Sequence, residues 1–435
     1  MMKPTPSIQK LLIGIVVLAI VIRIVASLLL GDRAEPISGA YDQITYDTLA
    51  QSVLAGKGFS FPTDWYPFTL AHEPTAHWSF LYTLYLAAVY AVFGHHPIAA
   101  RLIQAVLCGL NILLAYRLGR RLFGEWTGIA AAALTAGYAY LIFFNAALMT
   151  QSFYIVAVLA AIDLSLSLVD KPTPRGWVLF GFVIGLGALL RQTLLLFAPV
   201  LFVWIWWSSR RSAAENRDAS PAQRHLSPTF GILISLGIIA LLVLPWTLRN
   251  YLVYHDFLLL NSNGGYFLYS SNYPAQGTNF DPNYVAPIPA NLRGLPEPTI
   301  DRALYRDALG FIVSDPIRFL LLSLNRTQDY FWLAPSDQSG LISNVARVFS
   351  FTLYLPFMLY GLFLSRRQWR LGLPLYLYIA FDTVLSLTTW AAPRYRLPSD
   401  ALLIVFAGLA VATLADRFGI LARVEKLAAR QQAIT

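Results

Sequence analysis

The chain has 435 residues, 57% of them hydrophobic and only 13% charged, about half the charged share of an ordinary soluble domain. That balance excludes a water-soluble globular protein, and repeated apolar runs of helical length point to a polytopic, all-α membrane protein. A net charge of +9 would suggest nucleic acid in a soluble chain. Here Lys and Arg sit in short loops between apolar runs, with no basic stripe carrying exposed aromatics, so nucleic-acid binding is excluded. The single cysteine, Cys108, excludes an internal disulfide, and no Cys/His metal spacing occurs.

The first apolar run, near 11–30, follows Lys3 and Lys10. It is long for a signal-peptide core and reads as an uncleaved span that starts inside. Further runs fall near 78–93, 97–118, 127–146, 151–169, 177–190, 192–208, 229–248, 345–364, 371–390 and 401–416. If 78–93 is a re-entrant or interfacial helix and the others cross, every basic cluster falls inside. These clusters are Arg117/Arg120/Arg121, Lys171/Arg175, Arg210/Arg211/Arg217/Arg224, Arg366/Arg367/Arg370 and the tail with Arg417, Arg423, Lys426 and Arg430. The expectation is about ten spans with both termini cytoplasmic. The pair 177–190 and 192–208 forms a tight outward hairpin around Arg191. A seven-span module over 1–249 contains the outside loop 31–96. A large extracytoplasmic region, 250–344, follows the seventh span, and 345–435 holds the last spans and a tail.

In the first outside loop, residues 41–59 carry Ile44, Leu49, Val53 and Leu54 at helical spacing, closed by Gly56 and Gly58. This predicts an interfacial helix with Asp42 at its start. Asp42 there reads either as a helix N-cap or as a general base at the membrane surface, with Asp47 and Glu73 as rivals. His72, Glu73 and His77 could hold a divalent metal or form a polar loop facing the acceptor. Asp382, in the middle of a span, needs a partner, and Arg23 in the first span is one.

Five stretches occur in order. The first is Asp42, Tyr46, Leu49-Ala50 and Gly56-Lys57-Gly58-Phe59. The second is Glu73-Pro74-Thr75-Ala76-His77 before a helix ending in Phe93-Gly94. The third is the basic turn Gly119 to Gly124. Leu244-Pro245-Trp246 leading to Arg249-Asn250, with Asn263-Gly264-Gly265-Tyr266 after it, is the fourth, and Arg394-Tyr395-Arg396-Leu397-Pro398 is the last. Together they resemble GT-C glycosyltransferases: bacterial family 39 enzymes, protein O-mannosyltransferases and the aminoarabinose transferase of lipid A. Two positions depart from that resemblance, since Gln43 and Gln151 stand where relatives often carry acids.

The resemblance implies a GT-C fold and an inverting transfer of a sugar from a polyprenyl-phosphate donor to an acceptor hydroxyl, outside the cytoplasm in a bacterial inner membrane. The acceptor is a glycan, a lipid or a protein. It further implies Asp42 as base, with Arg394, Arg396, Arg249 and Arg191 as donor-phosphate ligands, because guanidinium pairs bidentately with phosphate. Tyr46, Asp47, Glu73, His77 and Gln151 are candidates for holding acceptor or sugar. No cofactor is certain, and a divalent metal stays open. Two other readings stay open: a transporter or flippase of lipid-linked substrates, and an inactive GT-C-like protein.

Overall fold

The computed structural model describes residues 6–36, 41–215, 226–333, 341, 344–345 and 348–421. Of the basic residues assigned to the inside, Lys3, Arg217, Arg224, Arg423, Lys426 and Arg430 lie outside the described residues. In chain order the helices are α1 (Pro6–Leu30), α2 (Asp42–Leu54), α3 (Phe80–Phe93), α4 (Pro97–Leu107), α5 (Gly109–Phe123), α6 (Glu125–Gly137), α7 (Ala139–Ala146) and α8 (Gln151–Asp170). Next come α9 (Pro174–Leu190), α10 (Thr193–Glu215), α11 (Pro228–Tyr254), α12 (Gly264–Asn272), α13 (Glu297–Ser314), α14 (Pro316–Tyr330), α15 (Leu353–Ser365), α16 (Leu373–Thr388) and α17 (Pro393–Arg417). Among the described residues the only β-structure is two isolated bridges in the first loop, Ser60 with Pro74 and Trp65 with Thr69.

Among the described residues, seven helical stretches are long and apolar enough to cross a bilayer, and α6 with α7, bent 53° apart, makes an eighth. With the shorter apolar helices α9 and α16 they coincide one for one with the predicted spans. Helix starts are written in the sequence: Pro174 and Pro228 take first-turn positions, and the side chains of Thr173 and Ser227 cap Gly176 and Phe230 N–H groups. Small residues let helices meet at the backbone. A Cβ on Gly361 of α15 would sit 1.8 Å from the Phe406 carbonyl of α17, and one on Gly181 of α9 would sit 2.6 Å from the Ser235 carbonyl of α11.

The helix ends sort into two groups. At one, Arg101 of α4 donates to the carbonyls of Gly31 (2.6 Å) after α1 and Ala146 (2.9 Å) at the end of α7. At the other, Arg120 pairs with Glu125 (2.7 Å) across the α5–α6 turn, and Arg121 pairs with Asp170 (2.6 Å) at the end of α8. Both ends of α3 belong to the first group: Ser79 Oγ donates to the Leu189 carbonyl (3.0 Å), while His95 meets Asp47 and His96 meets Asp32. So α3 does not cross. The chain also breaks at Arg191, as the predicted hairpin requires, and α10 begins two residues later.

Four local expectations are corrected. The 127–146 run is not one straight helix, because Tyr138 is extended and splits it. Within a span, the freed backbone groups need protein partners. Arg23 supplies them by donating to the carbonyls of Thr135 (3.2 Å) and Ala136 (3.2 Å), and the Tyr140 N–H turns to Ser350 Oγ (2.7 Å). Arg23 therefore serves the break and is not the partner of Asp382, whose carboxylate accepts from Ser399 Oγ at 2.6 Å. In α2, the stripe Ile44, Leu49, Val53, Leu54 is only part of the buried face: Leu49 is buried but Leu54 is exposed, and the buried side also carries Gln43, Tyr46, Asp47 and Ala50 packed on protein. Finally, α17 starts at Pro393, eight residues before the predicted 401, with Pro398 inside it.

The region 250–344 has a small core of its own, built on Tyr266, Tyr269, Ile300 and Leu304, with Phe68 of the first loop packed against it. Buried Glu297 at the start of α13 joins the first loop to the 250–344 region. It accepts from Thr69 Oγ1 (2.7 Å), Ala76 N (2.8 Å) and Ser262 Oγ (2.8 Å). Asn261 and Asn263 side chains bind the carbonyls of Ala76, Trp78 and His77.

Candidate active site

The site lies at the first group of helix ends, where α2, α8, α9 and α17 converge. Tyr41 holds the N-cap position of α2 and makes no side-chain cap bond, so Asp42 is not the cap. Its carboxylate is turned across to α17, where Oδ2 meets Arg394 Nη1 at 3.0 Å. Both side chains keep roughly a fifth to a quarter of their surface open, 24% for Asp42 and 20% for Arg394, so the pair is reachable. Arg394 also donates to the Tyr395 hydroxyl (3.1 Å) and lies 5.0 Å from that ring's centre. Arg191, in the α9–α10 turn, stands 5.6 Å from the same ring and donates from Nε to Thr150 Oγ1 (3.0 Å) at the start of α8. Two guanidinium groups thus share one tyrosine ring beside one carboxylate.

Tyr46, one turn after Asp42, is buried and packs edge-on against Tyr82 (5.0 Å) and Trp78 (6.1 Å). Burial first, then Asp42, push its hydroxyl well above the ordinary tyrosine range, and Arg191 and Arg394 oppose that. The other predicted residues lie elsewhere. Arg396 is fully buried: Nε donates to Asp400 Oδ1 (2.9 Å), Nη1 to the Tyr330 carbonyl, and the guanidinium covers the Phe351 ring at 3.4 Å. The reason is helical geometry. Because the helix begins at Pro393, residues 394 and 396 point roughly 200° apart and cannot serve one site.

Arg249 is held among the rings of Phe59, Phe80 and Tyr254, at 5.7–5.9 Å, and donates to Asn250 Oδ1 (3.1 Å). Asp47 is a buried strut: its oxygens accept from Tyr90 OH (2.6 Å), His95 Nε2 (2.9 Å) and Gln51 Nε2 (2.8 Å). Gln151 is buried at the start of α8, and neither amide atom has a hydrogen-bond partner among the described residues. Gln43, the other position without an acid, is buried too and accepts from Arg101 Nη2 (3.3 Å).

His72, Glu73 and His77 do not converge. His72 and Glu73 are exposed, whereas His77 is buried with Nδ1 against the Ser262 carbonyl (3.1 Å). Burial lowers the His77 imidazole to about 4. Among the described residues no three His, Cys, Asp or Glu side chains group as metal ligands.

Glu297 and Asp301 escaped the sequence reading. A signal existed: Glu297, Ile300, Asp301, Leu304 and Ala308 keep helical spacing, which puts two acids on the apolar face of α13. Asp301 accepts from Gly265 N (2.7 Å), and burial pushes its carboxyl up to about 6.

The family described as dolichyl-phosphate-mannose-protein mannosyltransferase matches residues 77–221. An undecaprenyl phosphate-α-4-amino-4-deoxy-L-arabinose arabinosyl transferase of Pseudomonas fluorescens is 28% identical over 188 residues, 38% of this chain and 28% of that protein. Among solved structures, the Archaeoglobus fulgidus oligosaccharyltransferase AglB, in complex with an inhibitory peptide and a dolichol-phosphate, superposes with a TM-score of 0.58 at 15% identity, over 96% of this chain and 52% of that one. ArnT from Cupriavidus metallidurans, bound to undecaprenyl phosphate, gives 0.50 at 16% identity, over 92% and 59%. This chain spans between a quarter and three fifths of the length of these proteins. The chain thus has the fold of these membrane enzymes along nearly its whole length, with the family match inside it.

Proposed function

We propose that this protein is a membrane glycosyltransferase that moves a sugar from a polyprenyl-phosphate donor to an acceptor hydroxyl on the extracytoplasmic face, with inversion. The observation that carries this reading is the partly open Asp42–Arg394 contact, with Arg191 across the Tyr395 ring. The acceptor hydroxyl gives its proton to Asp42 as its oxygen attacks the anomeric carbon. The bond from that carbon to the phosphate oxygen breaks, and the charge gathering on the lipid phosphate is met by Arg394 and Arg191. Donor phosphate competes with Asp42 for Arg394, so binding the donor also frees the carboxylate to act. The names of the relatives, an arabinosyl transferase using undecaprenyl phosphate and an oligosaccharyltransferase holding dolichol-phosphate, support a lipid-phosphate donor.

Purified protein given a radiolabelled polyprenyl-phosphate sugar is expected to release polyprenyl phosphate only when an acceptor is present. Asp42→Asn is expected to abolish release while leaving the thermal midpoint in detergent unchanged. Retained activity in Asp42→Asn with loss in Glu73→Gln would move the base to Glu73.

A further inference from the structure

In the 250–344 region, α14 is apolar on two opposite faces. One is turned to protein, where Leu322, Arg326 and Tyr330 are buried. On the other, Ile317, Leu320, Leu321 and Leu324 keep the i, i+3, i+4, i+7 spacing of a single stripe. Each of the four is 48–70% exposed, so the described residues leave the stripe uncovered. A helix that is apolar all round is stable only when buried, in a large core or in a bilayer. The contacts of α14 put it at bilayer depth. Arg396, one turn inside α17, donates to the Tyr330 carbonyl. The Tyr330 hydroxyl reaches Thr383 Oγ1 (3.4 Å), five residues before α16 ends at Thr388, which is about 7.5 Å at 1.5 Å per residue. Arg326 donates to the Leu387 carbonyl (3.0 Å) of the same span. Val384 of α16 is itself exposed, as lipid-facing span residues are. Phe331 and Trp332 stand open just past the helix, and tryptophan gathers at headgroup depth. The stripe thus continues the lipid-facing surface of the bundle, and a protein partner covering it would itself have to enter the lipid.

We infer that α14 is a membrane anchor: at the Asp42 end of the bundle it lies in the bilayer surface, with Ile317, Leu320, Leu321 and Leu324 among the upper acyl chains, and ties the 250–344 region to that leaflet. This placement needs neither the transfer at Asp42 nor a particular side of the membrane for Asp42 to face.

Fluorescence of the full chain in phosphatidylcholine nanodiscs tests this, because Cys108 is the sole native cysteine and is buried, so one introduced cysteine carries the label. Leu320→Cys and Leu324→Cys, each bearing a nitrobenzoxadiazole group, are compared with Arg293→Cys, exposed in the same region. At the two stripe positions the label is expected to emit at shorter wavelength. It should also lose most of its emission when phosphatidylcholine carrying a doxyl group high on its acyl chain replaces part of the lipid. The Arg293→Cys label should keep its emission. Both stripe variants should hold the wild-type thermal midpoint in detergent, and a lowered midpoint in both would mean that these leucines pack on protein, which overturns the anchor. Long-wavelength, unquenched emission from both stripe positions puts the stripe in water and also overturns it. Short-wavelength emission without doxyl quenching overturns it in favour of a protein cover, a second copy of this chain where light scattering gives twice the mass.

Discussion

At the scale of single residues, two arginines of one motif have different work. Arg394 is partly open and touches Asp42, whereas Arg396 is sealed against Asp400. Arg394→Lys keeps the charge but loses the bidentate fork, so kcat/KM should fall with little change in thermal midpoint. Arg396→Met should do the reverse first. It leaves the buried Asp400 carboxylate, among the described residues, with only the Tyr138 hydroxyl as its remaining partner, at a cost of about 3–5 kcal/mol. Thermal unfolding in detergent beside a steady-state assay separates the two, and equal stability loss in both variants would contradict the division. Asp301 gives a test by pH. Its carboxyl, raised to about 6, is neutral in the folded protein at pH 4 and must ionise or hold its proton at a cost above pH 6. The folded state binds the extra proton, so stability from this group is present at low pH and is lost as pH rises from about 4 through 6. Asp301→Asn, which still accepts from Gly265 N, should match the wild type at pH 4 and exceed it in thermal midpoint at pH 7.5. A difference that does not grow with pH would count against buried ionisation at this position.

At the scale of elements, the α6–α7 break shows why intramembrane charge is read poorly from sequence. Arg23 and Asp382 invite pairing because each lies in an apolar run, yet nothing in the sequence announces the extended Tyr138 that frees backbone carbonyls for Arg23. Arg23→Met should strand those carbonyls and destabilise the bundle by on the order of 2 kcal/mol, seen as a lowered thermal midpoint. An unchanged midpoint would mean that other groups satisfy the break. The start of α17 was misjudged for a related reason. Pro393, Arg394, Arg396 and Pro398 dilute its apolar signal, so the apolar run begins only near 401 and leaves the motif outside it. Once those residues are helical, their 200° separation follows. That Asp42 and Tyr46 share one helix was legible because α2 is short, local and closed by Gly56 and Gly58. Glu297 was not, because its partners Thr69 and Ala76 lie more than two hundred residues away.

At the scale of the whole molecule, the alternation of basic loops carried most of the architecture. Charge counts need only local sequence, and span order fixes which helix ends lie together. That is why Arg191, Arg394 and Asp42 could be placed at one end of the bundle from sequence, although their contacts could not. The grouping of ends leaves one further claim, that the Asp42 end faces away from the cytoplasm, and the chain carries a means to test it. Cys108 is its sole cysteine and is buried, so a single introduced cysteine reports alone. Lys57, exposed in the first outer loop, and Lys171, exposed after α8, belong to opposite ends. In intact bacterial cells expressing the chain, opened at the outer membrane, Lys57→Cys should react with a membrane-impermeant maleimide. Lys171→Cys should react only after the inner membrane is permeabilised. The reverse pattern would turn the protein over, set Asp42 and both site arginines against the cytoplasm, and remove the extracytoplasmic transfer while leaving the fold as described.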